Sequence, residues 1–289
     1  MFSEPPQLRR LPFCIMIRKC YPQGKEKAFS VSYDDGVLQD IRLVELMNRY
    51  GIRGTFNLNS SLMESGFTWL HENGMQVSRL TPSQAAGLYD GHEIASHTLT
   101  HPYMHDLTEA EILYQMSEDK RALEEMFSRE VEGFAVPFEY YSPLIAHCAK
   151  ACGFLYARMS EFAGTYCPWQ DRYYWKCGMF HLQLELMEYV SKFLTCGEEL
   201  ALCQIVGHSY DLDAEDLWDT TEEIFRSVAA RQDIWLATNV QIVGYLMAMS
   251  ALEVADGYAV NRSDRELWLK VDGRIVALQP GEFVKENAL

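Results

Sequence analysis

Along most of this chain, apolar segments of strand length alternate with amphipathic segments of helix length. That alternation restricts the chain to parallel strands joined by helical crossovers. Lys27 to Tyr33 and Ile52 to Asn59 read as strands, and between them Val37 to Tyr50 carries Leu38, Ile41, Val44 and Leu46 at helical spacing, closed by Gly51. Thr81-Pro82 predicts a helix start with proline in the first turn, and Glu93 to Ser96 a short strand. The box Thr108-x-x-Glu111 opens a long helix to about Phe127, Val131 to Val136 returns as a strand, and Ser142-Pro143 begins a helix that stops at Gly153. Phe154 to Ala157 reads as a strand, His181 to Leu194 as a helix and Leu200 to Val206 as a strand. Thr220-x-x-Glu223 predicts another helix cap, Ile234 to Ala237 the last barrel strand and Val240 to Met249 the last helix. With about seven parallel strands, the expected fold is α/β, a distorted (β/α) barrel over residues 1–250. After Ser250 the pattern changes to period two with turns at Asp272-Gly273 and Pro280-Gly281. This predicts a small antiparallel ribbon over residues 251–289, too short to fold alone and therefore packed on the barrel.

A hydrophobic share of 48% and a charged share of 23% support a buried core rather than disorder. Acidic residues outnumber basic ones, 41 to 25, for a formal charge of -16, which disfavours nucleic acid as a partner and favours a neutral or cationic substrate. Pro5, Pro6, Arg9, Arg10 and Pro12 interrupt any apolar run near the amino terminus, and no small-residue cleavage site follows. No apolar stretch approaches about 18 residues, so the expectation is a cytoplasmic chain without a membrane span. Cys14, Cys20, Cys148, Cys152, Cys167, Cys177, Cys196 and Cys203 contain no C-x-x-C pair and read as ordinary reduced thiols.

Two short runs carry the chemistry. Ser32-Tyr33-Asp34-Asp35-Gly36 and Ser96-His97-Thr98-Leu99-Thr100-His101-Pro102 supply two adjacent carboxylates and two imidazoles at predicted strand ends. Two neutral imidazoles and one carboxylate make a three-point site that leaves a position for water, as in a catalytic divalent-ion centre, and the second carboxylate is left to move protons. His97 and His101 stand four apart, but the neighbouring threonines and Pro102 disfavour a helix, so a strand-exit loop is expected. Asp34 and Asp35 would point to opposite faces of a strand. A turn after Tyr33, with Gly36 supplying the freedom, lets both reach one site. Asp34, Asp35, His97, His101, Pro137 and His208 all fall just after predicted strands, where reacting groups of parallel barrels gather.

Strand-Ser-Tyr-Asp-Asp-Gly followed by Gly-His-Glu-Ile-Ala-Ser-His-Thr-Leu-Thr-His-Pro (91–102) resembles the first two signatures of the polysaccharide deacetylases, the NodB-homology or carbohydrate esterase family 4 group, over about Lys25 to Ala248. The resemblance implies one divalent ion held by Asp35, His97 and His101. Zn2+ is the first expectation, with Co2+, Mn2+, Fe2+ or Ni2+ compatible with the same ligands. It further implies Asp34 as general base, His208 as general acid and the backbone N–H of Phe138 as an oxyanion donor. The third signature, arginine-x-proline-tyrosine, is reduced to Ala135-Val136-Pro137-Phe138, so the arginine that orients the base is missing. Arg158, at the end of the predicted Phe154-to-Ala157 strand, is the expected substitute. Asp171 and Trp175 are set against the fourth signature, Asp171 to pair with the acid histidine and Trp175 to line the groove, with Tyr210 and Asn59 as further substrate contacts. Tyr166, Trp169, Tyr173 and Tyr174 suit either sugar stacking or core packing.

The implied activity is hydrolysis of a non-peptide C–N bond, removing an N-acetyl group from an amino sugar or polysaccharide. Two alternatives keep the fold: a hydrolase of small cyclic amides or imides, and a metal- or sugar-binding relative impaired by the lost arginine. A non-haem iron oxygenase ranks last, because its ligands usually occur in a different order. His92 is expected to be structural, and His71, His105, His147 and His181 solvated or capping.

Overall fold

Lys27–Asp34 (β1) is buried along its whole length and is the strand on which the sheet is built. The other strands of this sheet are β2 (Gly54–Leu58), β3 (Glu93–Ser96), β4 (Gly133–Ala135), β5 (Tyr156–Phe162), β6 (Trp175–Cys177), β7 (Met179–Phe180), β8 (Ala201–His208) and β9 (Ile234–Leu236). The computed structural model describes residues 17–138, 140–168, 171–255 and 258–285, so Cys14 and Trp169 lie outside the described residues. The strand order is β7-β8-β1-β2-β3-β4-β5-β6, every pairing is parallel, and β9 joins β1 on the same side as β2. β1 divides that side between two partners: Lys27–Phe29 pair with β9, and Val31–Asp34 with β2. The sheet curls into the nearly closed (β/α) barrel that the alternation of elements predicts.

Burial on both faces of β1 sorts its residues by chemistry. Phe29, Val31 and Tyr33 pack among the apolar side chains of the covering helices. Ser30 and Ser32 belong to a buried polar network, Ser30 donating to Asn239 Oδ1 at 2.8 Å and Ser32 accepting from Asn57 at 2.9 Å. Glu93 on β3 accepts from Thr55 Oγ1, Tyr156 Oη and the backbone N–H of Val240, each at 2.8 Å. That N–H lies in the first turn of the Asn239–Met249 helix, where the helix dipole favours a carboxylate. Burial pushes Glu93 up to about 7, and its three donors offset only part of that push.

Local signals place most elements. Gly51 caps the Asp40–Tyr50 helix in the left-handed region (φ 66), and the Thr81–Gln84 and Thr108–Glu111 capping boxes form. At Asp272-Gly273 both residues have positive φ (48 and 85), as a two-residue hairpin turn requires. Three expectations change. Thr220 lies inside the Trp218–Ala229 helix, and the later capping box is Thr238–Gln241. The helix expected from His181 begins at Leu186, because Met179–Phe180 is extended beside β8 and His181 sits at its end. The C-terminal segment is two three-stranded sheets rather than one ribbon, and Ile17–Cys20 supplies an edge strand paired with Leu267–Val271. These sheets share a small core of Ala259, Leu269, Val271, Leu278 and Val284. They meet the barrel through Tyr245, whose hydroxyl donates to Cys20 O at 2.7 Å and accepts from Trp268 N at 3.0 Å.

The described cysteines are free thiols, and no helix among the described residues is long and apolar enough to cross a membrane. Tyr156→Phe removes one of the three donors to buried Glu93 and is expected to cost about 1–3 kcal/mol. Urea unfolding at pH 7 measures this as a lower midpoint at unchanged slope; an unchanged midpoint would contradict the role given to the network.

Candidate active site

The carboxyl ends of the strands carry an unusual concentration of left-handed backbone. Asp34 is still in β1, in register with Asn57 of β2 and His208 of β8. The chain turns one residue later than the sequence suggests, at Asp35 (φ 87) and Gly36 (φ 64), which carries the second carboxylate over the strand ends. A β-carbon on Gly36 would lie 2.7 Å from Leu58 Cδ2, so the turn needs glycine for space as well as for φ. After β3 the loop holds Thr98 at φ 70 and His101 at φ 54. A β-branched residue in this region is strained, and strain of this kind persists only where surrounding bonds fix it. Here the Asn59 amide donates to the carbonyls of both His97 and Thr98, and His101 N donates to Thr98 Oγ1 at 3.2 Å. Asn59 is therefore fully buried scaffold under the loop, not the substrate contact expected of it.

Asp35, His97 and His101 each present one ligand atom within 4.8 Å of the others. His97 Nε2 and His101 Nε2 lie 4.0 and 3.7 Å from Asp35 Oδ1. His97 Nδ1 is 2.9 Å from the Ala135 carbonyl, which fixes the proton on Nδ1 and turns the Nε2 lone pair toward the carboxylate. Burial lowers both imidazoles, His97 to about 4, so both are neutral at pH 7. Burial works against the charge of Asp35, but the Arg79 guanidinium at 2.9 Å and the nearby imidazoles hold its carboxyl well below the usual range. Asp35 Oδ1 is buried and makes no hydrogen bond. The His97 lone pair, the His101 imidazole and an ionised oxygen thus converge, and the donor set fits a divalent ion.

Asp34 Oδ1 accepts from the Arg158 guanidinium and from Asn57 Nδ2, the latter at 2.7 Å. Arg158 is fully buried and sits inside β5, not at a strand end. Parallel pairing sets it directly beside Ala135 of β4. The guanidinium that the degraded third signature lacks is thus present at the same level of the barrel, one strand further round.

His208, the last residue of β8, has Nδ1 at 3.0 Å from Asp211 Oδ2, and His181 Nε2 lies 3.0 Å from the same oxygen. Burial opposes the His208 imidazolium, but the bond to Asp211 and the charges of Asp35 and Asp34 outweigh it and raise its pKa to about 8. Next along the chain, Ser209 donates to buried Asp40 at 2.5 Å, which pins the entry to the Ser209–Ala214 helix. Tyr210 stacks on His208 with centroids 4.9 Å apart, and Phe138 (φ 56) lies edge-on to the His101 ring at 4.6 Å.

Two residues set against the fourth signature stand elsewhere. Asp171 accepts from Tyr173 N at 2.8 Å, and the carboxylate on His208 is Asp211. Trp175 is 1% exposed and packs edge-on against Tyr156 in the core, so it lines no groove. The sequence reading also passes over Asp211, Asn57 and Arg79, and His181, expected to be solvated or capping, is buried against Asp211. His208-x-x-Asp211 was available as a pair three apart at a helix start. His181 was hidden by its assignment to a helix, and Arg79 follows a two-stranded hairpin, Thr68–Leu70 with Gln76–Ser78, that carries no motif.

Because the folded pKa of His208 exceeds that of free histidine, its stabilising contribution is complete below about pH 6.5 and lost as pH rises through about 8. In Asp211→Asn the His208 pKa is expected to fall to about 6.5 or below, read by NMR titration of the metal-free protein; a value still near 8 would contradict the pairing.

Known proteins are similar to this chain in sequence and in fold. Residues 22–157 match the family model "Polysaccharide deacetylase". A chitin deacetylase of Colletotrichum lindemuthianum is 29% identical over 152 residues, 52% of this chain and 53% of that protein, so the chain spans about half the length of this relative. Among solved structures, one from Mycobacterium smegmatis assigned to the polysaccharide deacetylases superposes with a TM-score of 0.59 at 16% identity, covering 81% of this chain and 94% of that one. A mutant of a carbohydrate esterase family 4 pseudoenzyme from Bacillus anthracis, with restored activity, superposes at 0.52 and 14% identity, covering 78% and 70%. The structural likenesses establish the barrel, and over residues 22–157 the chain is similar to the polysaccharide deacetylases.

Proposed function

We propose that this chain is a metal-dependent amide hydrolase that removes an N-acetyl group from an amino sugar, with Asp34 as base and His208 as acid. The observation that carries the reading is the register of those two residues. They sit side by side on β1 and β8 at the rim that also holds Asp35, His97 and His101, and each is fixed by a buried partner of opposite charge. A divalent ion held by Asp35, His97 and His101 would polarise an amide carbonyl and lower the pKa of water from 15.7 toward about 7.

The chain's own residues supply the proton movements. Arg158 and Asn57 both donate to Asp34 Oδ1, which leaves Oδ2 to take the proton of the water that attacks the carbonyl carbon. The Phe138 N–H, in the loop beside His101, is assigned to the developing oxyanion, where one such donor is worth about a hundredfold to a thousandfold in rate. His208, whose bond to Asp211 favours the imidazolium, gives its proton to the departing nitrogen as the C–N bond breaks. The products are acetate and a free amine. The chitin deacetylase relative supports the choice of an N-acetylated sugar. So do the parallel rings of Tyr103 and Phe138, 3.8 Å apart beside His101, which offer a flat face to a sugar.

Acetate release from N-acetylated chito-oligomers by the Zn2+-loaded protein tests the proposal. Asp34→Asn is expected to lower turnover about 10²- to 10⁴-fold while metal content stays at the wild-type level. Turnover unchanged in Asp34→Asn would refute the assignment of the base. Metal bound with no hydrolysis of chito-oligomers by the wild type would refute the deacetylase reading; hydrolysis of small cyclic amides alone would point to the other substrate class, and none at all to a binding protein.

A further inference from the structure

We propose that Arg79 is the resident counter-cation of Asp35, and that a divalent ion has to displace it to bind, so that this one side chain sets how tightly the site holds metal. The inference rests on Asp35, His97 and His101 being the ligand set.

Arg79 is built into the turn that carries Asp35. It follows the Gln76–Ser78 strand of the hairpin and bridges to Val37, while Leu38 N donates to Ser78 O at 3.0 Å and Leu80 N to Gly36 O at 2.8 Å. The hairpin and the Asp35-Gly36-Val37 turn are thereby laced into one unit. The guanidinium is 5% exposed, donates to the Asp35 carbonyl and lies 2.9 Å from Asp35 Oδ1. That is the same oxygen His97 Nε2 and His101 Nε2 face. An ion seated among those three atoms would share a carboxylate oxygen with a fixed positive charge, in a buried setting where like charges repel strongly.

The same geometry shows what the guanidinium gives up when it moves off Oδ1. One nitrogen, Nη1, makes both its bond to the Asp35 carbonyl and its approach to Oδ1, and its Nε is buried without a hydrogen bond. On its other side the Trp69 ring lies 5.1 Å from the guanidinium carbon and favours the cation where it stands. The counter-ion of Asp34 is different, since Arg158 points at an oxygen outside the ligand triad and has no ion to compete with. Of Arg79 and Arg158, only Arg79 is in competition.

Titration calorimetry of the metal-free protein with Zn2+, using a competing chelator, reads the effect directly. Arg79→Gln keeps a donor for the Asp35 carbonyl but removes the charge, and is expected to bind Zn2+ at least about tenfold tighter than wild type. Arg79→Lys keeps the charge and is expected within about threefold of wild type. Trp69→Leu loosens the guanidinium from the hairpin side and is expected to bind a few-fold tighter; it carries the comparison if Arg79→Gln fails to fold. Equal affinity in wild type, Arg79→Gln and Trp69→Leu, with binding lost in His97→Ala, overturns the role of Arg79 and leaves the ligand set standing. Weaker binding in Arg79→Gln than in Arg79→Lys overturns it too. No binding in any of these proteins, wild type included, overturns the ligand set and this inference together.

Discussion

Two consecutive carboxylates are buried at the end of β1, and most of what is unusual around them follows from that. An ionised carboxylate taken out of water costs several kcal/mol unless a cation and hydrogen bonds replace the solvent. Asp34 meets the demand with Arg158 and Asn57, and Asp35 with Arg79. The left-handed backbone at Asp35 is what separates the two, so that one stays in the strand and the other swings over the rim. The strained loop at Thr98 and His101 then brings two neutral nitrogens to the second carboxylate, with Asn59 beneath to hold it there.

The displaced arginine shows what the barrel does and does not constrain. Asp34 needs a guanidinium at a given height in the interior, and neighbouring parallel strands in register present side chains at that height. Ala135 on β4 leaves the space, and Arg158 on β5 fills it. The motif is broken in the sequence, yet the charge it would supply is present in space. His208 is paired in a similar way. Its carboxylate comes from the first turn of the following helix, and that Asp211 oxygen also receives His181 from the end of β7, so the acid side of the site ties three segments together.

What could be read from the sequence was whatever is written locally. The histidine pair before proline, the Thr108–Glu111 capping box and the Asp272-Gly273 hairpin each depend on a few neighbouring residues and appear where those residues predict, whereas the Asp-Asp-Gly turn comes one residue late and Thr220-x-x-Glu223 caps no helix. Arg158 was found by reasoning about a missing charge, which is a chemical argument and not a pattern. Arg79 and His181 escaped because their roles come from the pairing of segments far apart in the chain, and a misplaced helix start at His181 concealed the strand end it occupies. Trp175, Asp171 and Asn59 were misplaced for the converse reason. A tryptophan, an aspartate or an asparagine in a promising stretch does not reveal whether it faces a groove, a loop backbone or the core.

The central claim is that Asp35, His97 and His101 converge on one divalent ion beside Asp34. Anomalous diffraction from a crystal of the protein soaked in Zn2+ tests it most directly. The account predicts a single strong peak within coordination distance, roughly 2.0–2.2 Å, of Asp35 Oδ1, His97 Nε2 and His101 Nε2. A saturated crystal with no peak among those three atoms, or with its peak elsewhere in the barrel, would contradict it.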